Sequence, residues 1–178
     1  MTPTEPAPAS ASALWRFSLR FYALPGVAPA CIELQDNAGV DVNLLLYLLF
    51  VAGHGRTLDR DGVARADAQV SAWRDGVVRP LRALRRRMKP GIESTDAAAA
   101  ERLRGEIKRA ELEAERIEQD ALERLAGGPD VERRDATPLE AARANVAAYA
   151  QFLGGLPEQP VAVLLEAYAA AQRNDRSG

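Results

Sequence analysis

The chain has 178 residues, 23 of them basic and 25 acidic, for a formal net charge of -2; this suits a single domain, and bulk charge marks neither a nucleic-acid binder nor an acidic solvating tail. It holds 34 Ala and 21 Leu against 16 Val plus Ile and 5 Thr, a balance that favours helix and leaves little material for strands. One Cys and one His exclude an internal disulfide, a cysteine-built zinc site and any two-histidine chemistry, so no metal or cofactor is expected and a reducing compartment fits.

Residues 1–10 are mostly Pro, Ala, Ser and Thr with no basic residue. They lack the basic start and apolar core of a secretory signal and read as a disordered tail ahead of a helical domain at 11–172. Residues 11–23 form a first helix, with Leu14, Phe17, Phe21 and Leu24 at helical spacing. A second, shorter helix spans 27–35 with Pro29 in its first turn, and Asp36-Asn37-Ala38-Gly39 stops it. Asp41 is the expected N-cap of the next helix, which runs to about Ala52. That helix is apolar on every side, so it belongs at the centre of the domain. Its nine-residue apolar run would cover roughly 14 Å, under half of a bilayer core, so a cytoplasmic protein without a transmembrane segment is expected.

Residues 56–62 read as a polar loop. Residues 63–88 are mostly helical, with Val70, Trp73, Val77, Leu81, Leu84 and Met88 as the apolar stripe and Pro80 expected to kink the helix or divide it near Arg79. After Pro90-Gly91, residues 95–125 form a long helix whose Leu103, Ile107, Ala110, Ala114, Ile117 and Ala121 repeat at heptad steps. Its other faces alternate Glu and Arg. A loop follows over 126–136. Thr137-Pro138-Leu139-Glu140 then starts a helix to about Leu153, and a last helix spans 158–172 ahead of a frayed tail at 173–178. The expected fold is an all-α, single-domain bundle of six or seven helices, with the long helix folded back as one arm of an antiparallel pair.

Three groups of side chains are candidates for function. Gln35, Asp36, Asp41 and Asn43 border the most apolar stretch. Converging in a cleft with Trp15 and Tyr22, they could bind a small molecule or supply a general acid or base; read structurally, they stop one helix and cap the next. Arg74, Arg79, Arg82, Arg85, Arg86, Arg87 and Lys89 face only Asp75 within their segment, a local +6. Such a surface could dock an acidic protein, a phosphate or, as a further alternative, nucleic acid, unless Glu side chains of the long helix neutralise it. Trp15, Phe17, Phe21, Tyr22 and Trp73 could line a pocket but suit a core. Cys31 reads as a buried inert thiol and His54 as an exposed turn residue. No phosphate loop, nucleophile elbow or zinc helix motif occurs, so whether the protein is an enzyme stays open and no residue is assigned a catalytic role.

The runs Trp15-Arg16-Phe17-Ser18-Leu19, Leu34-Gln35-Asp36, Gly39-Val40-Asp41-Val42-Asn43-Leu44-Leu45-Leu46, Trp73, and Pro80-Leu81-Arg82-Ala83-Leu84-Arg85-Arg86-Arg87-Met88-Lys89 resemble a proteobacterial family of small proteins with no assigned function. The resemblance covers residues 15–89 and implies a small, cytoplasmic, bacterial helical protein; it supplies no activity, ligand or catalytic residue. The sequence therefore points first to an interaction or regulatory module. It would use the arginine-rich helix, with an acidic protein or a second copy as partner.

Overall fold

The computed structural model of the chain describes residues 12–91, 95–128, 132–133 and 136–175. The expected tails at 1–10 and at the C-terminal end fall largely outside these residues. The helices are α1 (Ala13–Tyr22), α2 (Val27–Ala38), α3 (Val42–Ala52), α4 (Arg60–Trp73), α5 (Arg79–Arg87), α6 (Ala97–Glu123), α7 (Pro138–Leu153) and α8 (Glu158–Asp175). A π-helical turn, Arg74–Val78, joins α4 to α5 without a break. The described residues thus form seven helical rods, an all-α bundle. The one extended pairing among them is two residues long: β1 (Arg56–Thr57) runs antiparallel to β2 (Glu132–Arg133).

Residues Asn43–Leu49, Val51 and Ala52 of α3 are all buried, and α3 lies against α1, α6 and α7. A rod with no polar face has nowhere else to go. Phe17 stacks on Phe21 at 5.6 Å, and Phe21 meets Tyr168 edge-on at 6.2 Å, so α1 and α8 close over the same core. The capping box expected at Thr137 and Glu140 is formed. Asp41 caps α3, accepting from the Asn43 and Leu44 amides at 2.9 and 3.4 Å.

Four local expectations are corrected. The second helix does not stop at Gln35: Asp36, Asn37 and Ala38 continue it, and Gly39, at φ 66°, makes the left-handed turn that ends it. The segment 56–62 is not all loop, because it contributes β1 and, from Asp59 as N-cap, the start of α4. The last helix runs three residues past Gln172.

The fourth concerns the apolar stripe around Pro80, which divides the helical run at Arg79 as expected. Pro80 cannot donate to the Gly76 carbonyl, and its ring would press on that carbonyl in a regular α-helix. The chain widens into the π turn instead, with the Arg79 N–H donating to the Arg74 carbonyl five residues back. One extra residue in the turn slips the helical phase. Val70, Arg74 and Val78 are buried, while Trp73 and Val77 of the expected stripe are pushed outward.

Candidate functional site

The wide turn carries Arg74 inside. Its Nη1 donates to Asp41 at 3.0 Å and to Asp67 at 2.5 Å, and its Nε to Asp75 at 3.2 Å. Burial opposes the guanidinium charge, but Asp67 and Asp41 more than offset it and raise its pKa. Asp41 therefore works twice, capping α3 and pairing with Arg74, while its own amide donates to the Tyr149 hydroxyl at 2.9 Å. Beside it, Asn43 Nδ2 donates to Glu118 at 2.8 Å and Asn43 Oδ1 accepts from Gln119 at 2.8 Å. Glu118 is 1% exposed, and its Oε2 is the atom that accepts from Asn43. Burial first, then the charge of Asp41 and a hydrogen bond with it, push the Glu118 carboxyl up to about 9, against the pull of Asn43 and Arg74. Glu118 is thus a neutral acid at physiological pH.

A second set of charges joins α5 to α6. Arg82 donates from Nε to Glu111 at 3.0 Å, from Nη1 to Gln35 at 2.6 Å and from Nη2 to Glu115. Arg85 donates to both oxygens of Glu111. As α6 ascends through Glu111, Glu115 and Glu118, its partners descend through Arg85, Arg82 and Arg74, so the two rods run antiparallel, as expected. Burial works to raise the Glu111 carboxyl, but hydrogen bonds from Arg85 and Arg82 outweigh it and hold the group below the usual carboxylate range. Outside this set, Arg86 donates to Asp36 at 3.0 Å and Arg79 to Asp75 at 2.8 Å. Arg87 and Lys89 are exposed and make no ion pair among the described residues. The acids of the long helix thus do engage the arginines, but only Arg82 and Arg85 of the seven cations bind Glu111 and Glu115.

Two clefts adjoin here and share Gln35, Asn43, Arg82 and Arg86 in their lining. The narrow one, about 180 Å³, is lined by Gln35, Asp36, Asp41, Asn43, Arg74 and Glu118, with Arg79, Arg82 and Arg86 around them. The wide one, about 340 Å³, has Arg82, Arg85, Arg86, Lys89, Arg104 and Lys108 as its cationic lining and Tyr22, Ile32, Val42 and Leu112 as its apolar lining; Glu111 and Glu115 are its two carboxylates. Of the expected pocket residues, Gln35 and Asn43 reach both clefts, Asp36 and Asp41 the narrow one, and Tyr22 the wide one. Trp15 reaches neither. It is buried, with its amide held by Ser12 at the start of α1. Among the described residues no three His, Cys, Asp or Glu side chains gather so as to hold a metal ion.

Several residues outside the expected sets build this region. Glu115 and Glu118 of α6 line it although the heptad reading placed them on a wet face. Glu111, Glu115, Glu118 and Leu122 step by four, three and four along the helix, the spacing of a buried stripe; the polar identity of the three glutamates concealed it. Asn145, fully buried, donates to the Leu48 and Arg56 carbonyls at 2.9 and 3.1 Å and accepts from the Leu58 amide at 2.8 Å. Glu123 reaches across the fold to cap α1 through the Ala13 and Leu14 amides, a contact that no local pattern announces. Trp73 is partly exposed and donates its indole N–H to the Ala114 carbonyl at 2.9 Å. Cys31 is buried, and burial pushes its thiol up to about 12. His54 is exposed and lies edge-on against Phe50 at 5.0 Å.

Residues 13–122, more than half of the chain, match the model of a family described as "Protein of unknown function (DUF2390)". No curated protein matches the chain, and no solved structure does. No helix among the described residues is long and apolar enough to cross a membrane.

Proposed function

Starting from its membership of the DUF2390 family of proteins of unknown function, to which this chain belongs, we propose that the protein is a small-molecule-binding domain whose wide cleft takes an anion. One observation carries this reading: six cationic side chains line that cleft against two carboxylates, and both carboxylates are already committed to Arg82 and Arg85. Lys89 and Lys108 share the cleft and make no ion pair among the described residues. Like charges held in one concave site repel, and a bound anion removes that cost. The volume falls at the low end of the roughly 300–1,000 Å³ typical of small-molecule sites. A cytoplasmic setting suits the single buried thiol of Cys31.

Calorimetric titration with inorganic phosphate tests the reading. Binding is expected for the native protein and loss of binding for the Lys89→Ala, Lys108→Ala double variant, both sites being exposed. No heat with the native protein, or equal heats with both, would count against an anion site here.

A second reading is favoured by Arg87 and Lys89, which stand exposed and unpaired among the described residues at the end of α5: α5 docks an acidic protein surface. It would require Arg87→Glu to abolish capture of an acidic partner without touching phosphate binding. The fuller arginine surface, with Arg74, Arg82 and Arg85 as contact residues, lends this reading less, since those three are occupied within the fold. Duplex DNA at low salt is the third arm of the same titration. The pairing of the arginines within the molecule argues for a shallow salt slope.

A further inference from the structure

We propose that the ligand of the wide cleft is a phosphomonoester bearing a compact apolar group, its phosphate held by Lys89, Lys108 and Arg104 and its apolar group laid on Ile32, Val42 and Leu112. The inference rests on the anion-binding reading above and specifies it.

The lining of the cleft is of two kinds, cationic and apolar. Of the first kind, Lys89 follows α5, while Arg104 and Lys108 stand a turn apart on α6. The partner of Arg104 is Glu101, an exposed carboxylate on its own helix at 2.7 Å, an attachment that exposure to water makes weak and exchangeable. Two ammonium groups that make no ion pair among the described residues and one loosely engaged guanidinium match the double negative charge and three oxygens of a phosphate monoester better than the single charge of a carboxylate.

Of the second kind, Ile32 projects from α2 and is 48% exposed, one of four large apolar side chains left open among the described residues. A lone exposed aliphatic residue means little. Ile32, however, shares its cleft with Val42 and Leu112, both only partly buried. Tyr22 adds a ring wall; burial first, then the charges of Cys31 and Glu115, push its phenol up to about 12, so it stays neutral. This apolar lining together with the cationic one suits an amphipathic anion. The volume of about 340 Å³ admits a phosphate and a group of a few carbons.

The test compares inorganic phosphate, n-butyl phosphate, phenyl phosphate and butyrate by calorimetry against the full chain and against Ile32→Asn. A fully buried methylene is worth about fourfold in affinity. On a half-open wall the butyl and phenyl esters are therefore expected to bind about tenfold tighter than inorganic phosphate, with butyrate weakest. Ile32→Asn, at an exposed position, is expected to erase most of that gain and leave inorganic phosphate unchanged. Esters that bind no tighter than inorganic phosphate overturn the inference and leave the anion site standing. Butyrate matching butyl phosphate overturns the phosphate assignment. No binding of phosphate or of either ester removes the anion-binding reading itself.

Discussion

Glu118 sits among groups that oppose each other over its charge. Burial and the neighbouring Asp41 carboxylate favour the neutral acid; Asn43 and Arg74 favour the anion. The neutral form wins, and the group holds its proton up to about pH 9, against an ordinary value of 4.5. Folding therefore takes up a proton between those two values, and stability falls as pH rises through that window. Glu118→Gln keeps the shape and the acceptor for Asn43 but has no proton to lose. Its denaturant midpoint is expected to match the native protein's near pH 5 and to exceed it by a growing margin towards pH 9; parallel curves would show that the carboxyl ionises normally. Arg74 is the opposite case, a charge kept by its partners. Arg74→Met is expected to cost about 3–5 kcal/mol in chemical unfolding, because it strands Asp41 and Asp67 without their cation. Asp41 was legible from the sequence as a cap, since capping is a local contact among adjacent amides. Its pairing with Arg74, 33 residues away, was not, because the π turn that delivers Arg74 has no periodic signature.

At the scale of elements, the same contrast separates α3 from α6. The enclosed position of α3 could be read directly from its residues, because a helix with no polar side has one solution. The orientation of α6 could not. Its apolar positions repeat at heptad steps, and Ile107 and Ala114 of that repeat are buried, yet Leu103 is 55% exposed and Ile117 39%, while Glu111, Glu115, Glu118 and Gln119 point inward. Hydrophobic periodicity assumes that carboxylates seek water. Here the arginines of α5 and the amide of Asn43 provide the pairing that makes burial tolerable, and that pairing depends on two segments meeting in space. The rotation of α6 is testable by exchange of roles. Leu103→Glu is expected to change unfolding free energy by no more than about 0.5 kcal/mol, whereas Leu122→Ala, at a fully buried position, is expected to cost about 2–5 kcal/mol. A large loss from the first would return the helix to the heptad seam, and a small one from the second would take Leu122 out of the core. Gly105 lies in the same helix, and a Cβ there meets nothing within 4 Å. Gly105→Ala is therefore expected to raise stability by roughly 0.5–1 kcal/mol through helix propensity alone.

Across the whole molecule the buried acids set a pH profile that net charge does not foretell. Glu111 is held below the usual range by Arg85 and Arg82, so its contribution is present above the ordinary carboxylate value and disappears as pH falls through its lowered one. The Glu118 contribution runs the other way, present below 4.5 and lost as pH climbs towards 9. Beyond that, Cys31 and Tyr22, both pushed up to about 12 chiefly by burial, must ionise in the unfolded chain first and steepen the decline. Together these effects leave a maximum on the acid side of neutrality, a fall as pH drops below 4.5 and a long slope to the alkaline side. The isoelectric point of about 5.6 sits close to that maximum, so the pH of greatest conformational stability is also the pH of least solubility. Chemical unfolding measured from pH 3 to 10 at low protein concentration is expected to trace this asymmetric dome, and Glu118→Gln to flatten its alkaline limb while leaving the acid limb in place. A symmetric profile centred near neutrality would mean that the acids of α6 carry ordinary charges, and the inward rotation of that helix, on which both clefts depend, would fall with it.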